Sequence, residues 1–172
     1  KPSVFLNASA VGFYGDVPEG DVPEERQRGR GLLADVCDLW EKEAKAAETA
    51  GVRVVLLRIG IVLEKGGGAL GKMLPPFKLG LGGPLGGGRQ WMSWIHREDL
   101  IGLIHLALGT KEIRGPLNGT APHPVPMKEF SRTLGKVLHR PAFFPVPDFV
   151  LKILLGEMSD VLLKGQRVLP KR

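Results

Sequence analysis

The chain has 172 residues, of which 43% are apolar and 24% charged, with 24 Gly, 14 Pro and a single Cys. That balance describes a globular domain able to bury a core and excludes both disorder and a disulfide scaffold. The 24 Lys and Arg outnumber the 18 Asp and Glu, for a net charge of +6. They are scattered, with only a short basic end at Lys164, Arg167, Lys171 and Arg172 and no interleaved aromatics, so no nucleic-acid partner is expected.

Val4 to Ala8 reads as a buried strand that runs into the loop Ser9-Ala10-Val11-Gly12. Loop chemistry then extends to about Gly31, and its carboxylates, Glu24 and Glu25 included, read as solvated surface. From Leu32 apolar residues recur at helical spacing (Leu32, Leu33, Val36, Leu39, Trp40, Ala44, Ala47), predicting a core-facing stripe on a helix over 32–49 that Gly51 caps. Val52 to Leu63 is β-branched and nearly continuously apolar, the pattern of a strand covered on both faces. It carries Arg53 and Arg58 and is far shorter than the roughly 20 residues of a membrane span, so no membrane partner is expected.

A Gly-rich stretch, 66–88, encloses a short helical segment near 70–79. Trp91 to His96 reads as a strand, and Arg97 to Leu108 as a helix with a Leu100, Ile101, Ile104, His105, Leu108 stripe that places His105 in or near the core. Leu117 to Thr120 reads as a strand, Met127 to Leu138 as a helix, and Asp148–Leu155 and 159–163 as two more. Strand, crossover helix, strand predicts an α/β layered fold with a parallel sheet. The expected organisation is 1–64 as sheet and crossover helix, 65–139 as a substrate-side lobe, and 140–172 as a small helical module.

Gly66-Gly67-Gly68-Ala69-Leu70-Gly71-Lys72 satisfies the phosphate-loop spacing, but Met73 stands where a hydroxyl would bind magnesium. A phosphate-loop nucleotide binder therefore remains only as an alternative. His96, His105, His123 and His139 lack zinc spacing and Cys37 stands alone, so no metal is expected. The lone cysteine and the absence of a leader point to a reducing cytoplasm. Ser9 lies at a strand end, where open parallel sheets bind ligands, and Gly60 at the next strand end offers close backbone approach. The chain opens Lys1-Pro2 without Met and enters a strand at once, which reads as a piece of a longer polypeptide.

Ser9-Ala10-Val11-Gly12-Phe13-Tyr14-Gly15, Trp40-Glu41, Leu57-Arg58-Ile59-Gly60-Ile61-Val62-Leu63, Leu79-Gly80-Leu81-Gly82-Gly83-Pro84, Trp94-Ile95-His96-Arg97-Glu98-Asp99-Leu100 and Leu117-Asn118-Gly119 together resemble the C-terminal part of an extended short-chain dehydrogenase/reductase. The resemblance is to its atypical, epimerase-like branch and runs almost end to end. It implies the last strands of a Rossmann sheet and a smaller mixed α/β substrate lobe. NADP(H) is the expected cofactor ahead of NAD(H), its pyrophosphate held by an N-terminal half these residues do not provide. The implied cofactor contacts are Ser9, Ala10, Val11, Leu33, Cys37, Ile59, Gly60 and Ile61, and the implied substrate contacts Tyr14, Met73, Arg89, Trp94 and His96.

The family's acid–base chemistry uses a Ser with a Tyr and Lys spaced YxxxK. Here those Tyr and Lys positions fall on Leu33 and Cys37, so Ser9 and Tyr14 are the catalytic candidates that remain. The implied function is an NADP(H)-binding epimerase- or reductase-like protein for a small molecule, with a non-catalytic cofactor-binding regulator as the alternative. The resemblance also implies a homodimer through helix 32–49 in the intact protein.

Overall fold

The computed structural model describes residues 2–172, the side chains at 154, 155, 157, 158 and 161 excepted. Strand β1 (Val4–Ala10) runs into a 3-10 turn over Val11–Tyr14, followed by β2 (Val17–Val22) and helix α1 (Leu32–Lys45). A further 3-10 turn over Ala46–Ala50 ends at Gly51, whose φ of 70° and left-handed conformation terminate the helix at little cost. Then come β3 (Arg53–Ile59), β4 (Ile61–Leu63), α2 (Gly68–Lys78), β5 (Trp91–Met92), β6 (Trp94–His96), α3 (Arg97–Gly109), β7 (Gly115–Gly119), β8 (Val125–Pro126) and α4 (Met127–Leu138). Helices α5 (Asp148–Leu155) and α6 (Asp160–Leu163) precede β9 (Gln166–Val168).

Strands β1, β3 and β7 form a parallel sheet in that order, with Ser9 paired to Arg58 and Arg58 to Asn118. The two faces of β3 are covered differently. Val54 and Leu56 pack on Ala44 and Ala47 beneath α1, while Val55 and Leu57 pack on Ala107, Leu100, Leu103 and Ile104 of α3. Alternate residues thus enter two cores, the layered arrangement the strand–helix–strand pattern calls for. Arg53 ties α3 to the sheet by donating to the Ala107, Leu108 and Ile113 carbonyls at 2.6 to 3.0 Å, satisfying acceptors that the helix end leaves open.

Four sequence expectations are corrected. The apolar stripe of α1 faces the core only at its alanines: Leu32, Leu39 and Trp40 are exposed, and the buried face is Ala34, Cys37, Glu41 and Ala44, small enough to let the helix pack closely. His105 is exposed on α3. The strand read from Val52 to Leu63 breaks at Gly60, after which β4 leaves β3 to pair with β6. The loop assigned to 16–31 contains β2, which pairs in parallel with β9 through Val17–Gln166 and Val22–Val168.

Candidate functional site

Arg58 is the one charged residue on the buried part of β3, and a guanidinium there must be paired or it will not fold in. Its partner is Glu41, on the small-residue face of α1: Nε donates to Oε1 and Nη2 to Oε2, each at 2.8 Å, with both side chains 5% exposed or less. The remaining donor, Nη1, reaches the Tyr14 hydroxyl at 2.9 Å and the Glu24 carbonyl at 3.1 Å. Phe13 lies 3.6 Å under the guanidinium, a cation–π contact in a dry setting. Burial pulls the Arg58 pKa down, but the carboxylate of Glu41 and the oxygen of Tyr14 outweigh it and hold the group protonated.

Ser9 Oγ donates to Glu41 Oε1 at 2.8 Å, so the serine's proton is committed and its lone pairs alone are available to a ligand. Tyr14 donates to Asn118 Oδ1 at 2.7 Å and is 1% exposed. Asn118 in turn donates its backbone N–H to Glu24 Oε1 and its amide to the Leu169 carbonyl. Glu24 is therefore not solvated surface but a buried carboxylate that also accepts the Lys171 backbone N–H at 3.2 Å. Glu25 does lie outside, paired with Arg172.

Burial pushes the Tyr14 phenol above its ordinary value, the Arg58 charge opposing it. A group whose folded pKa is raised contributes stability that is complete below its unfolded value, about 10, and lost as pH rises past it. Because Tyr14 is the only tyrosine, phenolate absorbance reads it directly. The native chain should ionise at higher pH than the urea-unfolded chain, and superimposable titrations would contradict the buried placement.

The structure brings the implied cofactor contacts of β1 and α1 together. A Cβ placed on Gly12 would sit 3.2 Å from Leu33 Cβ and 3.8 Å from Cys37 Sγ, so Val11–Gly12 packs directly against the first turns of α1. Leu33 is 43% exposed there, whereas Cys37 is buried, with its thiol pushed up by burial and hence neutral. Ile59, Gly60 and Ile61 end the neighbouring strand. Gly60 lets the chain pass close to Ser93: a side chain there would strike the Ser93 carbonyl, which accepts from Ile61 N at 2.8 Å. Thr120 Oγ1, beside Gly60, is buried without a partner among the described residues.

Met73 on α2 and Trp94 on β6 are half-buried on either side of β4. His96 is exposed, and its Nδ1 accepts from Glu98 N at 3.2 Å as the cap of α3. Arg89 is exposed on the loop before β5, and Tyr14 lies inside the buried network. The network of Glu41, Arg58, Glu24 and Asn118 was the part not assigned from sequence. Its one legible signal was a charge inside an apolar strand.

Parallel strands covered by helices on both faces, with α1 crossing over between β1 and β3, define part of a Rossmann-type fold. Residues 146–172 match a family model described as "Domain of unknown function (DUF1731)". The chain is 51% identical over its whole length to the "Epimerase family protein SDR39U1 homolog, chloroplastic" of Arabidopsis thaliana, covering 49% of it, and 47% identical to the "Epimerase family protein YfhF" of Bacillus subtilis, covering 57%. Among solved structures it superimposes on the human epimerase family protein SDR39U1 (isoform2) with NADPH at a TM-score of 0.87 and 36% identity, over 99% of this chain and 58% of that one. A nucleoside-diphosphate sugar epimerase from Corynebacterium glutamicum gives a TM-score of 0.74 at 35% identity, over 98% of this chain and 32% of that one. The chain belongs to the epimerase-like branch of the extended short-chain dehydrogenase/reductases, and it spans about half the length of the curated relatives it matches.

Proposed function

We propose that the intact protein binds NADP(H) across the ends of β1 and β3 and holds a small substrate against it from the side of α2 and β6, as an epimerase- or reductase-like protein. The observation that carries this reading is the superposition on the NADPH-bound human relative over nearly the whole chain. The residues at these strand ends and on α1 fit such a cofactor in a limited way. Leu33 offers an apolar wall for an uncharged ring, Ser9 offers only acceptor lone pairs, and Thr120 offers a hydroxyl without a partner among the described residues. Bound nicotinamide would supply hydride transfer to or from a substrate carbon. This chain supplies no proton-transfer pair beside it, because Leu33 and the neutral Cys37 thiol replace the phenol and ammonium. That observation favours the second reading, a regulator that binds the cofactor without turnover. The reducing cytoplasm inferred from Cys37 is kept as part of the proposal. Among the described residues no helix is long and apolar enough to cross a membrane.

Calorimetric titration of NADPH and NADH into the intact protein tests the binding step: NADPH should bind, and absence of heat with both cofactors would overturn the reading. Carbonyl-dependent oxidation of NADPH then separates enzyme from regulator. In the same protein Tyr14→Phe should leave any turnover unchanged and lower stability by about 1 to 3 kcal/mol, since Arg58 Nη1 and Asn118 Oδ1 each lose a buried partner. A loss of turnover with unchanged cofactor affinity would instead make Tyr14 the acid. The exposed Leu32, Leu39 and Trp40 of α1 supply the apolar face of the proposed homodimer. Trp40→Glu should shift the intact protein toward monomer in sedimentation, and an unchanged sedimentation coefficient would remove α1 from the interface.

A further inference from the structure

Beside Pro126 of β8, a cavity of about 1100 Å³ runs along helix α4. None of the residues assigned to cofactor or substrate lines it. Its two long walls differ in chemistry. Helix α4 presents Lys128, Arg132 and Lys136 at intervals of four residues, one above another on a single face. The segment 140–145 opposite presents Ala142, Phe143 and Pro145, with Phe143 68% exposed and its ring 4.6 Å from that of Phe144. Gly135 fixes the separation of the walls, for a side chain there would collide with Ala142 and the Arg140 carbonyl.

None of Lys128, Arg132, Lys136 and Arg140 forms an ion pair among the described residues, although Arg97, Arg167 and Arg172 on other surfaces all do. Arg140 uses only Nε, on the Lys78 carbonyl. At the end of α4, His139 holds a φ of 54° and is the one non-glycine residue with positive φ among those described. Glycine is the cheaper residue in that conformation, and what His139 adds is an imidazole on the cavity wall.

We infer that this groove binds an extended acidic peptide segment in which carboxylates alternate with apolar side chains. Four residues of helix advance about 6 Å, and two residues of an extended strand advance about 6.6 to 6.8 Å. Carboxylates on one face of such a strand therefore meet Lys128, Arg132 and Lys136 in turn. Its other face turns toward Phe143 and Pro145. The cationic run covers only about 12 Å and has the carboxylate of Glu129 at one end. That is short for a nucleic-acid track, whose affinity grows with the number of phosphates met.

The test uses the intact protein and a fluorescein-labelled acetyl-Glu-Leu-Glu-Phe-Glu-Leu-Glu amide, followed by anisotropy. The acidic peptide should bind with an affinity that falls as salt is raised, and the same peptide with Gln for every Glu should not bind. Arg132→Glu with Lys136→Glu should weaken binding at least about tenfold through reversed charge. Phe143→Ser, at an exposed site that leaves the helix untouched, should weaken it independently. Circular dichroism and NADPH titration of both variants should match the parent, which separates failure of the groove from failure of the cofactor reading. Equal binding of the Gln peptide, or insensitivity to both variants, would overturn the proposal. So would tighter, variant-sensitive binding of a short oligodeoxythymidine or of phosphatidylglycerol vesicles.

Discussion

Replacing Glu41 by Ala in the intact protein is expected to lower its stability by about 3 to 5 kcal/mol, the cost of leaving a buried charge without its partner. The magnitude follows from what Glu41 satisfies: both Arg58 donors at 2.8 Å and the Ser9 hydroxyl, all inside a region where water cannot substitute. Glu41→Gln keeps an acceptor for Ser9 but removes the charge, so it should fall between the parent and the Ala variant. A double change, Glu41→Leu with Arg58→Leu, removes both charges and should cost less than the sum of the single changes. Urea denaturation of the set decides the matter. A Glu41→Ala cost below about 1 kcal/mol would mean the pair is solvated in a way its burial excludes.

The second large effect is expected from Gly60→Ala. The new methyl group would press on the Ser93 carbonyl and lie 3.0 Å from Thr120 Cγ2, and neither can retreat without opening the β4–β6 pairing or the end of β7. Overpacking against backbone of this kind costs about 3 kcal/mol, and NADPH affinity should drop with it because Ile59 and Ile61 flank the displaced strand end. Gly102→Ala is the control. Gly102 lies within α3 with nothing inside 4 Å of the added atom, so the substitution should raise stability by up to about 1 kcal/mol. If both variants behaved alike, the close approach at Gly60 would carry no weight.

These two residues also show how far the sequence could be read. Apolar periodicity located β1, α1 and β3 because each buries a face large enough to leave a pattern. It ran straight through Gly60, because composition does not register that one residue hands the chain from β3 to a different partner strand. On α1 the pattern was present but misdirected. Large apolar residues dominate the periodicity, yet the buried face of α1 holds only Ala34, Cys37, Glu41 and Ala44, leaving Leu39 and Trp40 outside. Strands β2 and β9 left no trace, being short and held mainly by each other across the length of the chain. Glu24 sat among surface carboxylates, and only Asn118 and Lys171 reveal that it is an interior acceptor. Leu33 entered only through the family resemblance, whereas Ser9 and Ile59 were legible as strand ends. The state of the Ser9 proton was not, because it depends on Glu41 crossing from another element.

The contacts that close the buried network also set the order of events during synthesis. Tyr14 is joined to Asn118, Val11 to Gln166, and Glu24 to Lys171, separations of 104, 155 and 147 residues. Each loop must close before its contact contributes, and such long-range closure slows folding. On a ribosome, β2 lacks its strand partner and Glu24 lacks its Lys171 donor until Val168 and Lys171 have cleared the exit tunnel. The amino-terminal part of this domain therefore waits in an unfinished state for the whole of its own translation, and a nascent-chain holdase that covers β2 has that interval in which to act.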